Sequence, residues 1–481
     1  MSHLPVLLVV VPLLSAFSVH LAGLWLGQKA SYPLAQLALT AEVLIALGSA
    51  QQAIDHGPIH YHVSGWPMPL GIELIVDGLS ALMTVLVAVL AWVSLLHSAP
   101  LVEKEIGHKA PQFYALALLL VTSLMGISLT GDAFNLYVML EISSLTTYGL
   151  IALGGGRAYL ATFHYIIMGT IGASFYLLGV GYLYIKTGSL NMADLHQILP
   201  TLPASDSVLV GFGLMLVGAL LKMALFPLHA WLPNAYTYAP NATSSLVAPL
   251  STKVSVYIMI RMMISIFGHH FTAQWAGLLV FLASVGIVGG SLMALSKRDL
   301  KKAFSCIIVA EAGYMAGGVW LGNQLGLTGA IFHLVNDAMV TLALFMVTGN
   351  IIYRLEVRNF DQIGQLFRRM PVTATVLLVC AMGVVGVPPT SGFISKFYLV
   401  SGAIQAGHPE FAVALLTASL CNAALFLRIF ESCFYAPDGE KRGEAPWSMS
   451  LTLAGMGVAL LALGIFSNTV ITHLVLPVVP G

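Results

Sequence analysis

Residues 211–261 read GFGLMLVGALLKMALFPLHAWLPNAYTYAPNATSSLVAPLSTKVSVYIMIR, and the fold class follows from this segment. Lys222 lies in the middle of an apolar run that Phe226 and Pro227 interrupt, and Lys253 lies inside the next apolar run. A lysine at the centre of a bilayer helix is costly, so it usually faces a polar path inside the protein. Proline removes a backbone donor, and the freed carbonyl groups are tolerated at membrane depth only where protein covers them or a cavity adjoins them. The segment therefore predicts a discontinuous membrane helix that forms part of an ion path.

A second segment repeats this arrangement far downstream. Residues 386–399 read GVPPTSGFISKFYL. Pro388 and Pro389 predict a helix break, and Lys396 follows about two turns later. The two segments together favour two discontinuous helices, each with a lysine, which is a layout that secondary transporters use at mid-membrane.

The composition is that of an integral membrane protein. Of 481 residues, 58% are hydrophobic and only 8% are charged, whereas soluble domains have about 25% charged residues. The formal net charge is zero, so no basic surface for nucleic acid is expected. The four cysteines show no CxxC spacing. We therefore predict no metal site, no cofactor and no disulfide framework in this chain.

Apolar runs of about 20 residues, the length that crosses a bilayer, number fourteen. Fourteen of the twenty Lys and Arg residues fall in loops after odd-numbered spans, and only Lys186 falls in a loop after an even-numbered span. Cytoplasmic loops carry the excess of positive charge, so we predict a multi-pass protein of the inner (plasma) membrane with both termini outside. The predicted spans are 4–26, 32–51, 73–97, 112–130, 133–153, 159–185, 207–239 (broken), 243–267, 274–296, 302–321, 325–353, 371–405 (broken), 410–434 and 449–477.

Spans 4–8 and 9–13 form a predicted inverted repeat. The broken spans 7 and 12 are an odd number of spans apart, so the second copy crosses the membrane in the opposite sense. Glu141 and Glu311 occupy matching places on spans 5 and 10. The predicted fold class is thus all-α and polytopic, with about 14 transmembrane helices and two inverted five-helix repeats. The predicted domains are N-terminal helices 1–3 (1–110), the first repeat (111–270), the second repeat (271–436) and C-terminal helix 14 (437–481).

Several motifs together resemble one protein family. They are GDAFNLYVMLEISSLTTYGL (131–150), LKMALFPLHAWLPNA (221–235), LSTKVSVYIMIR (250–261), DLKK (299–302), HLVND (333–337) and GVPPTSGFISKFYL (386–399). This set is similar to the proton-conducting, antiporter-like subunits that respiratory complex I, membrane-bound hydrogenases and Mrp-type cation/proton antiporters share. The SLNMADL segment (189–195) and the surroundings of Asp337 make the chain look most similar to the D-type subunit of the Mrp antiporters.

The resemblance implies a role for each matching ionisable residue. Glu141 and Lys222 are expected to form the acid–lysine pair of a first half-channel, and Lys253 is expected to link this pair toward the centre of the membrane. A nearby carboxylate favours the charged form of a buried lysine, so moving the carboxylate toward or away loads or unloads a proton. The residues expected to continue the polar axis toward the exit are His229, His333 and Lys396.

Four of the residues that depart from the family pattern lie on spans 6, 10 and 11. His164 stands where the family commonly has a lysine on span 6, and Glu311 replaces a common glutamine on span 10. Asp337 and Thr341 stand where many members have histidine and lysine on span 11. The second half-channel therefore has fewer cationic and more acidic groups than the family pattern. His164, Glu311 and Asp337 remain predicted proton-transfer residues, because each is ionisable and lies within an apolar span.

Several functional hypotheses follow from the sequence. The leading one is a proton-translocating subunit of a multisubunit Mrp-type monovalent cation/proton antiporter. The alternative is a proton-pumping subunit of a complex I-like NADH dehydrogenase or a membrane-bound hydrogenase. A stand-alone solute permease and a non-conducting scaffold subunit remain open. Expected partners are other membrane subunits, the lipid bilayer, protons, and Na+ or K+. The sequence shows no redox or hydrolytic centre, so any translocase activity would belong to the complex.

Overall fold

The described residues fold almost entirely into helices. The computed structural model describes residues 3–203, 205–268, 273–435 and 443–479. Within them, eleven helices are long and apolar enough to cross a membrane, so the chain is a multi-pass membrane protein. The count of fourteen spans stays a prediction, because residues 133–152 and the pieces of the two broken spans are not among these eleven helices. The inverted repeat also stays a prediction. The predicted domain boundary at residue 436 lies outside the described residues.

Most predicted spans coincide with a helix to within a few residues. Shorter helical turns occur at Leu366–Arg369 and Ser467–Val470, and π-helical turns at Met262–Phe267 and Ile471–Val475. The helices are α1 (Leu4–Trp25), α2 (Ser31–His56), α3 (Gly78–Glu105), α4 (Ala110–Leu129), α5 (Ala133–Ala152), α6 (Arg157–Thr187), α7 (Met192–Ile198), α8 (Asp206–Lys222), α9 (Leu232–Tyr238), α10 (Asn241–Arg261), α11 (Ala276–Leu295), α12 (Leu300–Trp320), α13 (Gln324–Leu355), α14 (Pro371–Val385), α15 (Ser391–Gln405), α16 (Pro409–Tyr435) and α17 (Trp447–Ile465).

A β-hairpin replaces the start of the third predicted span. Strand β1 (Ile59–His62) pairs antiparallel with strand β2 (Glu73–Val76). The buried carboxylate of Glu73 bonds to the ring of His60 at 2.7 Å. Hydropathy alone does not distinguish a short apolar strand from a buried piece of helix. Helix α3 accordingly begins five residues later than the prediction placed it, at Gly78.

The first of two compact units contains the N-terminal helices and the first acid–lysine pair. It comprises residues 1–92, 108–223 and 250–274. Within it, α4 packs against α1 and α5, and α6 packs along α8. A Cβ atom added to Gly218 of α8 would lie 2.6 Å from the carbonyl oxygen of Gly172 on α6. Small residues of this kind let membrane helices approach closely, and the close packing positions Lys222 at the end of α8.

The second compact unit is built around two buried helices. It comprises residues 93–107, 224–249 and 275–481. Within it, α12 packs against α11 and α13, and α13 packs against α14 and α15. Both α12 and α13 are buried along nearly their whole length. Their polar side chains therefore lie against other protein groups, because a polar group left without a partner in a low-dielectric interior is costly.

Each predicted break interrupts a helix close to a lysine. Helix α8 ends at Lys222, and α9 begins after Pro227. Helix α14 ends just before Gly386, whose φ is +85°, and α15 begins after Pro388–Pro389 with Lys396 in its second turn. The last carbonyl groups of a helix lack partners within the helix, so the end of α14 offers acceptors to a nearby side chain.

Candidate functional site

The first cluster of ionisable groups surrounds Lys222 in the first unit. Lys222 is 6% exposed, and its Nζ donates a hydrogen bond to Ser144 Oγ at 2.5 Å. Glu141 lies one turn before Ser144 on α5, is half-buried, and is within electrostatic reach of the Lys222 ammonium. A buried charge is expensive without a counter-charge, so the carboxylate stabilises the ammonium. The structure thus places Glu141 near Lys222, while the hydrogen bond of the ammonium goes to Ser144.

A small cavity adjoins the Lys222 side chain. Its volume is about 20 Å³, which is enough for one water molecule. The Ser251 hydroxyl is buried in its wall and has no hydrogen-bond partner among the described residues. This arrangement permits a proton to leave Lys222 by way of one water molecule. The polar residues of the wall, besides Lys222, are Ser143, Ser144, Thr147, Tyr165, Ser251 and Ser255.

Lys253 lies on α10 in the turn that forms one side of this cavity. Ser251, Val254 and Ser255 of the same helix line the cavity, and Lys253 itself is only 1% exposed. A lysine withdrawn this far from both lipid and water is uncommon and typically functional in a membrane protein. Its role as a link toward the centre of the membrane stays a prediction.

The second cluster lies in the second unit, where α12, α13 and α15 meet. The Glu311 carboxylate and His333 Nε2 share a hydrogen bond, and His333 Nδ1 bonds to Ser395 Oγ at 2.8 Å. Glu311 and His333 are both almost fully buried. A neutral imidazole donates from one ring nitrogen and accepts at the other, so its tautomer sets which way the Ser395 hydroxyl points. The pair can therefore move one proton between its members without changing its net charge.

Lys396 lies beside this pair, at the end of α14. Its Nζ donates to the carbonyl oxygen of Val384 at 2.6 Å and to Ser419 Oγ at 3.0 Å. The ammonium also lies 5.1 Å from the centre of the Tyr314 ring and within electrostatic reach of Glu311. The end of a helix carries partial negative charge, which favours a cation. The helix break thus provides the binding site for the lysine.

Asp337 and Thr341 lie on the same face of α13 as His333. Thr341 Oγ1 donates to Asp337 Oδ1 at 2.9 Å, and both side chains are buried. The neighbouring Asn336 accepts from Ser391 of α15 at 2.6 Å. Residues four apart on a helix face the same way, so His333, Asp337 and Thr341 form one polar stripe. Asp337 is therefore placed among polar groups and away from lipid.

Two predicted histidines lie outside these clusters. His229, in the break after α8, is half-buried and stacks on Phe226 with ring centres 5.0 Å apart. His164 is exposed on the outer face of α6, beside the exposed Phe163 and Ile167. The structure therefore does not bring His164 to the Lys222 cluster, because its place in the helical turn directs its side chain outward.

The partners of the buried lysines were not anticipated from the sequence. Two serine hydroxyl groups are partners of lysines, Ser144 of Lys222 and Ser419 of Lys396, and a third, Ser395, bonds to His333. Ser144 follows Glu141 by three residues, a spacing that places both on one helix face. That spacing is the sequence signal that could have pointed to Ser144, but serine is too common in membrane helices for this signal to be specific.

The predicted position of Lys301 in a loop is wrong. The prediction counted it in a cytoplasmic loop, but it is 1% exposed and donates to the carbonyl oxygen of Ala239 at 2.7 Å. The reason is local: the Asp299 side chain accepts from the backbone of Lys302 at 2.9 Å and starts α12 at Leu300. An aspartate just before an apolar run is a strong signal for a helix start, and here it places Lys301 in the first turn of α12.

Asp77 and Arg261 form an ion pair at one end of the first unit. The guanidinium of Arg261 binds both carboxylate oxygens of Asp77, at 2.5 and 2.7 Å. Burial by itself would raise the pKa of Asp77, but the hydrogen bonds and charge of Arg261 outweigh burial and hold that pKa below its ordinary value. Asp77 therefore stays ionised and anchors the start of α3 to the end of α10.

Known proteins share this sequence pattern and fold. Residues 130–421 match the transmembrane family described as NADH:quinone oxidoreductase/Mrp antiporter. The N-type subunit of a NADH-quinone oxidoreductase from Desulforudis audaxviator (strain MP104C) is 38% identical over 501 residues, covering 98% of each chain. The D-type subunit of a Na(+)/H(+) antiporter from Bacillus subtilis (strain 168) is 31% identical over 381 residues, covering 79% of this chain and 76% of the relative.

A solved structure with a similar fold comes from a third type of assembly. One chain of the membrane-bound sulfane sulfur reductase, an archaeal respiratory membrane complex, superimposes with a TM-score of 0.91 at 28% identity. The match covers 99% of this chain and 97% of that chain. Relatives of this chain thus carry the names of three different assemblies.

Proposed function

This chain belongs to the NADH:quinone oxidoreductase/Mrp antiporter family of transmembrane proteins, and on that basis we propose that it is a proton-translocating, antiporter-like subunit of a larger membrane assembly. One observation supports the proposal most directly. Lys222 is buried at a helix break, next to a carboxylate, a hydroxyl group and a cavity that can hold one water molecule. Together, these groups can bind a proton, hold it and release it.

The Lys222 cluster supports a mechanism in which charge controls proton release. While Glu141 is ionised, its charge stabilises the Lys222 ammonium. When Glu141 takes up a proton or turns away, the ammonium loses its counter-charge in a low-dielectric site. Lys222 then releases its proton to the water-sized cavity and keeps its contact with Ser144 as a neutral amine. We propose that Lys253, beside this cavity, receives or repels the proton next.

The second cluster supports proton transfer by a different pair. Glu311 and His333 hold one proton between them, and the Ser395 hydroxyl connects the ring to the turn of α15 that carries Lys396. A change in the charge of Lys396 shifts the balance between Glu311 and His333, because the ammonium lies within electrostatic reach of the carboxylate. We propose that Asp337 and His229 extend this polar region, and that His164 acts only where a partner subunit covers α6.

The parent assembly that we propose is a Mrp-type monovalent cation/proton antiporter. The motifs around Lys222, the SLNMADL segment and the similarity to the D-type subunit of a Na(+)/H(+) antiporter support this choice. A second candidate is a complex I-like assembly, and the 38% identity to the N-type subunit of a NADH-quinone oxidoreductase favours it. Co-purifying hydrophilic redox subunits would identify the second candidate. Co-purifying small membrane subunits without redox centres would identify the first.

We also propose a membrane and an orientation. The excess of Lys and Arg in loops after odd-numbered spans supports the plasma membrane with both termini outside, even with Lys301 removed from that set. Other membrane subunits are the proposed partners, and exposed apolar side chains such as Phe163 and Leu420 are available to them or to lipid.

Replacing Lys222 by alanine tests the proposed function. We expect proton flux through the reconstituted assembly to fall to the level of protein-free vesicles, because the end of α8 loses the group that holds the proton. Lys186→Ala is the matched control, since Lys186 is an exposed lysine at the end of α6. Unchanged flux in the Lys222→Ala assembly would favour the scaffold hypothesis and contradict the proposal.

A further inference from the structure

A file of polar side chains runs through the second unit, apart from the clusters described above. It starts at His97 on α3, which is fully buried. His97 Nε2 bonds to Asn350 Oδ1 at 2.9 Å, and Asn350 Nδ2 donates to Thr373 Oγ1 at 3.2 Å. Thr373 Oγ1 in turn donates to Glu444 Oε2 at 2.8 Å. Three hydrogen bonds thus connect a buried imidazole to a half-buried carboxylate just before α17.

The hydrogen bonds of this file all point the same way. An ionised carboxylate only accepts, so the Thr373 hydroxyl must donate to Glu444 and accept from Asn350. This requirement directs the amide nitrogen of Asn350 toward Thr373 and its oxygen toward His97. An amide oxygen cannot donate, so His97 Nε2 carries the hydrogen. The charge of Glu444 therefore sets the tautomer of His97 across three hydrogen bonds.

The other ring nitrogen of His97 is left as a bare acceptor. Nδ1 is buried and has no hydrogen-bond partner in the part of the chain that the structure describes. A buried polar atom without a partner costs about 1–3 kcal/mol, so it is uncommon and calls for an explanation. A histidine that only packed between helices would gain stability by bonding both nitrogens or by replacement with an apolar residue.

We propose that His97 Nδ1 is a further proton-binding site of this protein, and that Asn350, Thr373 and Glu444 are the residues that position it. A proton arriving at Nδ1 converts the ring to imidazolium, and the oriented hydrogen bonds keep the Asn350 oxygen in place as the acceptor for Nε2–H. The proton-binding role rests on the proposed function. The fixed tautomer does not, because it follows from the hydrogen bonds alone.

The tautomer is tested by ¹⁵N NMR of the protein in lipid with labelled histidine. The His97 signals are assigned by their loss in a His97→Gln variant. In mildly alkaline buffer, where histidine is neutral, we expect a protonated Nε2 and a bare Nδ1. Glu444→Gln keeps an oxygen for the backbone of Val372 and Thr373 but offers an amide donor to the Thr373 hydroxyl. We expect this variant to reverse every bond in the file and to move the proton to Nδ1. A His97 tautomer that is the same in both proteins would overturn the positioning role.

Proton flux through the reconstituted assembly tests the transport role. Thr373→Val removes the hydroxyl group at nearly constant volume, while the backbone bonds from Val372 and Thr373 to Glu444 remain. We expect flux to fall at least about tenfold, the scale on which loss of one buried hydrogen bond changes an equilibrium, and Thr373→Ser to retain it. Thr375→Val is the control, because the Thr375 hydroxyl bonds to Pro371 one turn back and is exposed.

The outcomes separate this inference from the proposed function. Wild-type flux in a fully assembled Thr373→Val protein would overturn the transport role of His97 and leave the role of Lys222 standing. Absence of flux in the unmodified assembly would instead contradict the proposed function, while the NMR measurement would still decide the tautomer. Equal recovery of the Thr373→Val and Thr375→Val assemblies from the membrane shows that lost flux does not come from misfolding.

Discussion

Two buried lysines of this protein have the same kinds of neighbour. Lys222 bonds to the Ser144 hydroxyl and lies within electrostatic reach of Glu141. Lys396 bonds to the Ser419 hydroxyl and lies within electrostatic reach of Glu311. A carboxylate stabilises the charged lysine, and a hydroxyl group can both donate to and accept from it as the charge changes. Two proton sites related by an internal repeat would need the same chemistry, and Lys222 and Lys396 share it.

Glu141→Ala tests the carboxylate half of the first cluster. We expect coupled transport to be abolished, because the Lys222 ammonium loses the charge that stabilises it. The assembly should still form, since Glu141 is half-buried and its removal leaves no large cavity in the core. The measurement is cation-dependent proton movement in vesicles, with complex recovery determined in parallel. Wild-type transport in this variant would count strongly against the role given to Glu141.

Glu311→Gln tests the second cluster with minimal change of shape. Glutamine can still bond to His333 Nε2, but it cannot take the proton from the ring. We expect proton flux to fall by about 100-fold, the scale on which proton transfer groups contribute. Ser305→Ala on the same helix is the control, because the Ser305 hydroxyl bonds to the carbonyl of Lys301 one turn back. Equal flux in the two variants would show that Glu311 only bridges helices.

At the scale of the helices, the break after α14 positions Lys396, and the close packing of α6 against α8 positions Lys222. The open end of α14 supplies the carbonyl oxygens of Val384 and Val385 to Lys396, which an unbroken helix would have used itself. The close contact between α6 and α8 positions Lys222 against α5. The prolines and glycines of these segments thus have a direct consequence for the ionisable groups.

Gly218→Val tests the contact between α6 and α8. The new side chain would meet the carbonyl oxygen of Gly172, so we expect a loss of about 1–3 kcal/mol in stability, as is typical of overpacking. Gly213→Val on the same helix is the control, because a Cβ there has nothing within 4 Å. Thermal unfolding of the two variants in detergent measures the difference. Equal unfolding temperatures would show that α6 and α8 can move apart to accommodate the valine without loss of stability.

At the scale of the whole molecule, the proposed function makes this chain dependent on partner subunits. Under the proposed function, partner subunits couple proton transfer through this chain to a second process. We therefore expect the purified single chain in vesicles to show no cation/proton exchange, whereas the intact assembly shows it. Fluorescence of a pH-sensitive dye inside the vesicles is the measurement. Cation/proton exchange by the single chain would favour a stand-alone permease.

Local sequence patterns were sufficient for the membrane class, the helix positions and about half of the buried ionisable residues that the structure describes. Hydrophobic length and proline are local properties, so they predict spans and breaks without knowledge of neighbours. Glu141, Lys222, Glu311 and Lys396 were found because charges within apolar spans are rare.

Apart from the Glu141–Lys222 pair, which the family resemblance predicted, the contacts among these groups became visible only in the folded chain. The fold joins Glu311 to His333, gives Lys222 and Lys396 their serine partners, buries Lys301, and leaves His164 on the outer surface. Pairing depends on how each helix is rotated about its axis and on how closely two helices approach. Successive residues of a helix point about 100° apart, so a shift of one residue is enough to move a side chain from the protein interior to lipid. That rotation is set by packing across the whole molecule, and no local sequence pattern contains it.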